Sequence, residues 1–165
     1  MQEKTKKNLM EAFAGESQAN RKYLAFASTA DQEGYPGVAK LFRAAAAAET
    51  VHAHAHLRAL GEIKTTKDNL MEAISGETHE FVSMYPKMIE EAKAEGEKIA
   101  EKSFVFANEV EKIHAGLYKN ALDTIDKFPV KDYYVCSVCG YTIADEAPEK
   151  CPVCGAMKKA FNKVD

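Results

Sequence analysis

The sequence lacks a basic cluster, a long apolar run and any cysteine before residue 136. With a formal net charge of −3, the missing basic cluster argues against nucleic acid or an anionic membrane as a partner. No apolar run approaches the ~20 residues of a membrane span, and the first residues lack the apolar core of a signal peptide. We therefore expect a cytoplasmic protein with one ordinary core and, at most, a small appendage.

Two segments of different composition follow one another along the chain. Residues 1–128 are rich in Ala, Glu, Lys and Leu, and their periodicity predicts four long helices. These helices are expected at about 5–30, 37–60, 68–95 and 98–127, with breaks at short runs containing glycine, proline or polar residues. Residues 129–165 are too few for a useful apolar core, so something else must hold this second domain together.

All four cysteines lie in that second domain, as CSVCG (136–140) and CPVCG (151–155). Four thiolates at this spacing converge on one metal ion, which is a better interpretation than free reactive thiols or disulfides. The spacing leaves both zinc and iron open, because tetrahedral sulfur sites suit either. The flanking residues, CxxCGY ending at Tyr141, APEKCPVCGA (147–156) and Phe161, resemble rubredoxin. That resemblance implies one redox-active iron held by Cys136, Cys139, Cys151 and Cys154.

The helical domain contains an internal repeat. At an offset of 61, EAFAGES (11–17) falls on EAISGET (72–78), and at an offset of 62, AETVHA (48–53) falls on VEKIHA (110–115). Each half therefore carries one lone glutamate and one E-x-x-H, in which Glu and His lie on one helix face a turn apart. The matched residues are Glu16 with Glu77, Glu49 with Glu111, and His52 with His114.

The glutamates of this repeat lie on apolar stripes, so we expect their carboxylates to point into the core. Unpaired buried charge is costly, which disfavours a merely solvated charged face. One glutamate from each of two helices, with an E-x-x-H from each of the other two, is the dinuclear pattern of ferritin-like bundles. Glu80 breaks the repeat and is predicted to be a fifth carboxylate at the metal pair, with a surface glutamate as the alternative. Of the other histidines, His56 is interpreted as a supporting or core residue, and His54 and His79 as solvated.

Taken together, these motifs make the whole chain resemble the rubrerythrin family. The resemblance implies an all-α four-helix ferritin-like bundle (1–128) followed by a small, mainly β rubredoxin-like four-cysteine metal domain (129–165). It also implies a di-iron centre in which one iron takes His52 when reduced and Glu80 when oxidised. The implied di-iron ligands are Glu16, Glu49, His52, Glu77, Glu80, Glu111 and His114. Tyr23 and Tyr85 match tyrosines that hydrogen-bond these carboxylates.

The resemblance further implies an oxidoreductase, a peroxidase that reduces hydrogen peroxide to water in oxidative-stress defence. Electrons would arrive singly through the four-cysteine iron from a rubredoxin or an NAD(P)H-dependent reductase. Two alternatives stay open. One is a ferroxidase or iron-storing protein with the four-cysteine domain as an electron port. The other is a non-enzymatic module in which a zinc ribbon docks partners onto an inert bundle.

Chain geometry predicts at least a homodimer. His114 lies roughly 20 Å from the predicted end of its helix, so we expect the two metal sites of one chain to be too far apart for fast direct electron transfer. The four-cysteine site of a head-to-tail partner is therefore expected to serve each di-iron site. Helices two and three must also be parallel in such a bundle. The return of about 26 Å barely fits seven extended residues. Exchange of helix pairs between subunits is therefore a hypothesis.

Overall fold

The structure, a computed structural model, describes residues 1–164 and consists mainly of long helices. The helices are α1 (Glu3–Gln32), α2 (Pro36–Leu60), α3 (Thr66–His79), α4 (Tyr85–Glu95) and α5 (Lys98–Asp123), with a π-helical segment at Glu80–Met84. Because α3, the π-helical segment and α4 follow one another without a break, they form the single helix predicted at 68–95. In the described part of the chain, no helix is both long and apolar enough to cross a membrane.

A small antiparallel sheet follows the helices. It comprises β1 (Tyr133–Cys136), β2 (Thr142–Ala144) and β3 (Phe161–Val164), in the order β2-β1-β3. Cys136 at the end of β1 pairs with Phe161, and the rings of Tyr141 and Phe161 meet edge to face at 6.1 Å. The predicted fold class, four long helices with a small β region after them, is confirmed. The fourth helix ends at Asp123 rather than 127, and a 3-10 turn occupies Ile125–Lys127.

The chain divides into two compact units, residues 1–64 and residues 65 onward. In the first unit α1 packs on α2 through alanines, since Ala39, Ala46 and Ala53 are buried at intervals of seven residues along α2. Small side chains at this spacing form one seam that lets the helices approach closely. The Asn20 amide crosses the seam and donates to the Ala46 carbonyl at 2.7 Å.

The second unit contains α3, the π-helical segment, α4, α5 and the sheet. Thr65 caps α3, because its hydroxyl accepts from the Asp68 amide at 3.2 Å. Ala92 of α4 and Val110 of α5 are buried. The predicted boundary between residues 128 and 129 stays a prediction, since the two units divide the chain after Lys64 instead.

Candidate metal centres

The first unit brings together one glutamate of α1 and the E-x-x-H of α2. Ligand atoms of Glu16, Glu49 and His52 lie within 4.8 Å of one another. The Nδ1 atom of His52 lies 2.9 Å from Oε2 of Glu49 and 3.9 Å from Oε1 of Glu16. We call this cluster half-site 1.

The second unit repeats the arrangement with the glutamate of α3 and the E-x-x-H of α5. Ligand atoms of Glu77, Glu111 and His114 also lie within 4.8 Å of one another. The Nδ1 atom of His114 lies 2.8 Å from Oε2 of Glu111 and 3.8 Å from Oε1 of Glu77. We call this cluster half-site 2. The two carry the same three ligand types, which the repeat in the sequence predicts.

The half-sites differ in how far they are enclosed. The side chain of His114 is 26% exposed, whereas that of His52 is 55% exposed. The expectation that the ligand stripes point into the core therefore suits half-site 2 better than half-site 1. Two packed helices bury only the side chains on the faces where they meet. The side chains of half-site 1 lie at the edge of the α1–α2 contact, so these two helices alone do not enclose them.

Burial and like charge dominate the electrostatics of half-site 2. Burial raises the pKa of Glu77, and the neighbouring Glu111 raises it further by repulsion and by a hydrogen bond. His114 opposes this shift in the pKa of Glu77 through its positive form. A divalent cation between the carboxylates would replace this repulsion with attraction. The cluster is therefore suited to binding a metal ion.

Glu80 begins the π-helical segment and lies close to half-site 2 without belonging to its tight cluster. Burial raises the pKa of Glu80, and the charge of Glu77 raises it further. Glu77 and Tyr85 lie eight residues apart, whereas Glu16 and Tyr23 lie seven apart. A π-helical segment accommodates one extra residue within a helix. The repeat offset is 61 for Glu16 and Glu77 and 62 for Tyr23 and Tyr85. The extra residue is thus accommodated in the π-helical segment that begins at Glu80.

The tyrosines occupy different environments. Burial raises the pKa of Tyr85, and neighbouring carboxylates, Glu80 first, raise it further. The ring centroid of Tyr23 lies 6.3 Å from that of Phe26 and 6.1 Å from that of Phe42. Sequence reasoning missed Tyr118, whose pKa is raised by burial and then by the charges of Glu77 and Glu111. Its position seven residues after Glu111, on the same face of α5, is the signal that could have found it.

The other three histidines lie outside both half-sites. The side chains of His54 and His79 are exposed, and His56 is half-buried. His54 lies in a shallow surface cavity with Arg21 and Thr50. These placements agree with the interpretation of His54 and His79 as solvated and leave the role of His56 a prediction.

The four cysteine sulfur atoms also lie within 4.8 Å of one another. The Sγ atoms of Cys136 and Cys154 are 3.7 Å apart, and those of Cys139 and Cys151 are 3.6 Å apart. A tetrahedral metal with sulfur ligands at about 2.3 Å requires sulfur–sulfur distances of roughly 3.8 Å. The cluster therefore fits a single four-coordinate ion.

The backbone around the knuckles suits thiolate ligands. Gly140 and Gly155 have φ of 86° and 78°, a left-handed turn that side chains strongly disfavour. Desolvation raises the pKa of Cys151, but hydrogen bonds with the amides of Cys154 and Val153, and then with the thiols of Cys139 and Cys154, lower it to about 7. Burial raises the pKa of Cys154. The second knuckle thus aims amide groups at the Cys151 sulfur, which stabilises its charged form.

The four-cysteine domain and α5 contact each other within the second unit. Nε2 of His114 lies 3.0 Å from Oγ1 of Thr142, the first residue of β2. The expectation that the four-cysteine site lies far from the metal ligands of its own chain is therefore wrong for half-site 2. It assumed that the chain continues away from His114, whereas the segment after Asp123 folds back along α5.

The site and fold define a helical dinuclear carboxylate protein that carries its own four-cysteine metal domain. A family model described as Rubrerythrin matches residues 7–122, and one described as the rubrerythrin rubredoxin-like domain matches residues 134–162. The chain belongs to the rubrerythrin family. Its predicted cofactors, a non-haem di-iron centre and one iron in a four-cysteine site, are confirmed. Members of this family are oxidoreductases.

Individual relatives agree over almost their whole length. The chain is 39% identical to rubrerythrin-2 of Clostridium acetobutylicum, over 93% of this chain and 92% of that protein. It is 35% identical to nigerythrin of Nitratidesulfovibrio vulgaris, over 95% and 85% of the two chains. A solved structure of fully reduced, all-ferrous nigerythrin has a TM-score of 0.60 at 34% identity, over 97% of this chain and 86% of that one.

Proposed function

We propose that the protein is a non-haem peroxidase that reduces hydrogen peroxide to water. The observation that supports this most is the presence in one chain of two Glu-His half-sites of matching geometry and a four-cysteine site. A di-iron centre supplies, when reduced, the two electrons that with two protons convert one hydrogen peroxide into two water molecules. An iron in the four-cysteine site would return these two electrons to the di-iron centre one at a time, because it carries a single electron.

In this proposal the two E-x-x-H histidines bind metal through Nδ1. Both Nδ1 atoms face the carboxylates of their own half-site, at 2.9 Å in His52 and 2.8 Å in His114. The carboxylates hold the pair of ions and offset its charge. The proposed ligands are Glu16, Glu49, His52, Glu77, Glu80, Glu111 and His114, with Cys136, Cys139, Cys151 and Cys154 holding the single iron.

Proton handling is proposed to fall to Glu80 beside half-site 2. Burial raises the pKa of Glu80, so this carboxyl, when it is not bound to metal, retains a proton at a higher pH than an ordinary carboxyl. Glu80 lies outside the tight ligand cluster, which leaves it free to exchange with His52 as a ligand when the oxidation state changes. Tyr85 and Tyr23 are proposed to orient the carboxylates.

The electron donor is proposed to be a rubredoxin or an NAD(P)H-dependent reductase that reduces the four-cysteine iron. The protein is proposed to work in the cytoplasm, because its four thiols require a reducing compartment to remain available to metal.

Stopped-flow absorption of the fully reduced, iron-loaded protein tests this function. After equimolar hydrogen peroxide we expect rapid return of the colour of the ferric four-cysteine iron, and after oxygen a much slower return. Faster reaction with oxygen than with peroxide would favour the ferroxidase alternative. A four-cysteine site without iron colour in iron-loaded protein would favour the zinc-ribbon alternative.

We also propose a homodimer in which helix pairs are exchanged. Leu60 lies eight positions after His52, and Glu77 lies eleven positions after Thr66. With helices two and three parallel and their ligands level, the return distance is therefore about 28 Å at 1.5 Å per residue. The six peptide steps from Leu60 to Thr66 reach at most about 22 Å.

Exposure of the first unit supports the same assembly. Leu41 and Val51 of α2 are 69% and 63% exposed, and His52 beside Val51 is a half-exposed ligand. A second copy that supplies half-site 2 would cover these groups and complete the ligand set. The dimer is thus proposed to carry two centres, each with half-site 1 of one copy and half-site 2 of the other.

A further inference from the structure

The ring of His114 is held on both sides. Its Nδ1 faces Glu111 at 2.8 Å, and its Nε2 lies 3.0 Å from the hydroxyl of Thr142. A metal bound at Nδ1 leaves the proton on Nε2, which must then donate. The Thr142 oxygen accepts this bond and donates its own hydrogen to the Gly140 carbonyl at 3.0 Å. The two hydrogen bonds therefore run in one direction, from the ring to the first cysteine knuckle.

Packing on the preceding turn of α5 holds the same loop in place. Val110 lies four residues before His114 and is 2% exposed. Its Cγ1 lies 3.7 Å from the point where a Cβ on Gly140 would be. Contacts at two successive turns thus fix residues 140–142 against α5. Thr142 is consequently a preorganised acceptor rather than a chance surface contact.

The repeat provides an internal comparison. His52 presents Nδ1 to Glu49 as His114 does to Glu111. Its Nε2, however, has no hydrogen-bond partner among the described residues of α1 and α2. Among the described residues, the hydroxyl contact to the histidine Nε2 is therefore found only in half-site 2. This half-site precedes the four-cysteine domain in the sequence and contacts it through Thr142.

We propose that Thr142 is a positioning residue that fixes the His114 tautomer and links this ligand to the four-cysteine site of the same chain. The inference rests on the proposed function, because the link carries electrons toward the di-iron centre. For each electron, a ferrous iron held by the four cysteines would become ferric, and one ferric ion held by the proposed di-iron ligands would become ferrous. The route runs from the Cys139 knuckle through the Gly140 carbonyl and the Thr142 hydroxyl to the His114 ring. No proton transfer along it is required.

Thr142→Val tests the link because it replaces the hydroxyl with a methyl group of similar size, and Thr142→Ala is a second hydroxyl-free variant. Thr142→Ser retains the hydroxyl. Thr29→Val is the matched control, since the Thr29 hydroxyl on α1 bonds only its own helix at the Ala25 carbonyl. An unchanged absorption spectrum of the four-cysteine iron establishes that the small domain is folded in each variant.

Two measurements decide the proposal. The first is made by NMR on zinc-loaded protein and is the rate at which the His114 Nε2 proton exchanges with water. Its signal is assigned by its absence in His114→Gln. We expect this rate to be at least about tenfold higher in the variants without the hydroxyl. In iron-loaded protein, return of the ferric four-cysteine colour after peroxide is expected to slow by at least about tenfold. Thr142→Ser and Thr29→Val are expected to match the wild type in both.

Wild-type behaviour of Thr142→Val and Thr142→Ala in either measurement would overturn the proposal. If the wild type itself does not recolour with peroxide, the proposed peroxidase function fails. The proton-exchange measurement on zinc-loaded protein uses no peroxide, so it still tests whether Thr142 fixes the His114 tautomer.

Discussion

The Nδ1 atom of His114 lies 2.8 Å from Oε2 of Glu111, three residues earlier on the same helix. In the other half of the repeat, Nδ1 of His52 lies 2.9 Å from Oε2 of Glu49. The agreement follows from helix geometry, because residues three apart face the same side one turn along. Each half-site is thus a rigid pair of ligands on one helix with a third ligand supplied by a neighbouring helix.

Removal of one histidine ligand is expected to weaken metal binding, whereas removal of its near neighbour is not. His52→Ala deletes the Nδ1 donor of half-site 1, so we expect the affinity for two equivalents of Co(II) to fall by at least about tenfold. His54→Ala is the matched control because His54 is exposed and lies outside the cluster. Cobalt titration followed by absorption measures both. Equal affinities would remove His52 from the ligand set.

Glu80→Gln is expected to lower peroxide turnover by about 10- to 100-fold while iron content stays near that of the wild type. The amide keeps the size of the side chain but loses the charge that an oxidised centre would bind, and the six other proposed ligands remain. Glu91→Gln, on an exposed turn of α4, is the control. Wild-type turnover by Glu80→Gln would contradict the proposed ligand exchange.

The metal-free protein is expected to lose stability as pH rises, through Glu77 and Glu80. Both carboxyls have a pKa raised above 4.5 in the folded chain, chiefly by burial. The folded state therefore binds more protons than the unfolded state just above pH 4.5, so their contribution is present below that pH. It is lost as pH rises through the folded pKa.

Urea unfolding of metal-free protein at several pH values tests this sign. The double variant Glu77→Gln/Glu80→Gln cannot titrate at these positions, so its stability relative to the wild type is expected to rise between pH 4.5 and neutral pH. Metal loading of the wild type is expected to restore its stability at neutral pH. A constant difference between the two proteins across this pH range would contradict the prediction.

Mixed dimers distinguish exchanged from unexchanged helix pairs. We expect that co-expressed His52→Ala and His114→Ala chains form a mixed dimer with one intact centre, because exchange joins the unaltered half-site 1 of one copy to the unaltered half-site 2 of the other. Without exchange, both centres of that dimer carry a defect. Peroxide turnover and iron content of the purified mixed dimer measure the difference, and each variant alone is the control.

Much of the architecture could be predicted from the sequence because local rules govern it. Helical periodicity, the E-x-x-H spacing and the C-x-x-C knuckles act over one or two turns, so the helices, to within a few residues of their ends, and both ligand pairs could be anticipated. The change of repeat offset between Glu16–Glu77 and Tyr23–Tyr85 was also present in the sequence. The sequence does not predict that a π-helical segment absorbs this change, since a loop could absorb one residue equally well.

The spacing within each E-x-x-H and each C-x-x-C was therefore determined by the sequence alone, because a helix or a knuckle brings the two side chains together without help from distant residues. Only the tertiary structure decided what surrounds the ligands. The return of the chain along α5, which places Thr142 on His114, depends on packing between segments 28 residues apart. The half-exposed state of His52 likewise reflects which helix faces meet. Packing between distant segments is set by the whole surface of each, and no short motif encodes it.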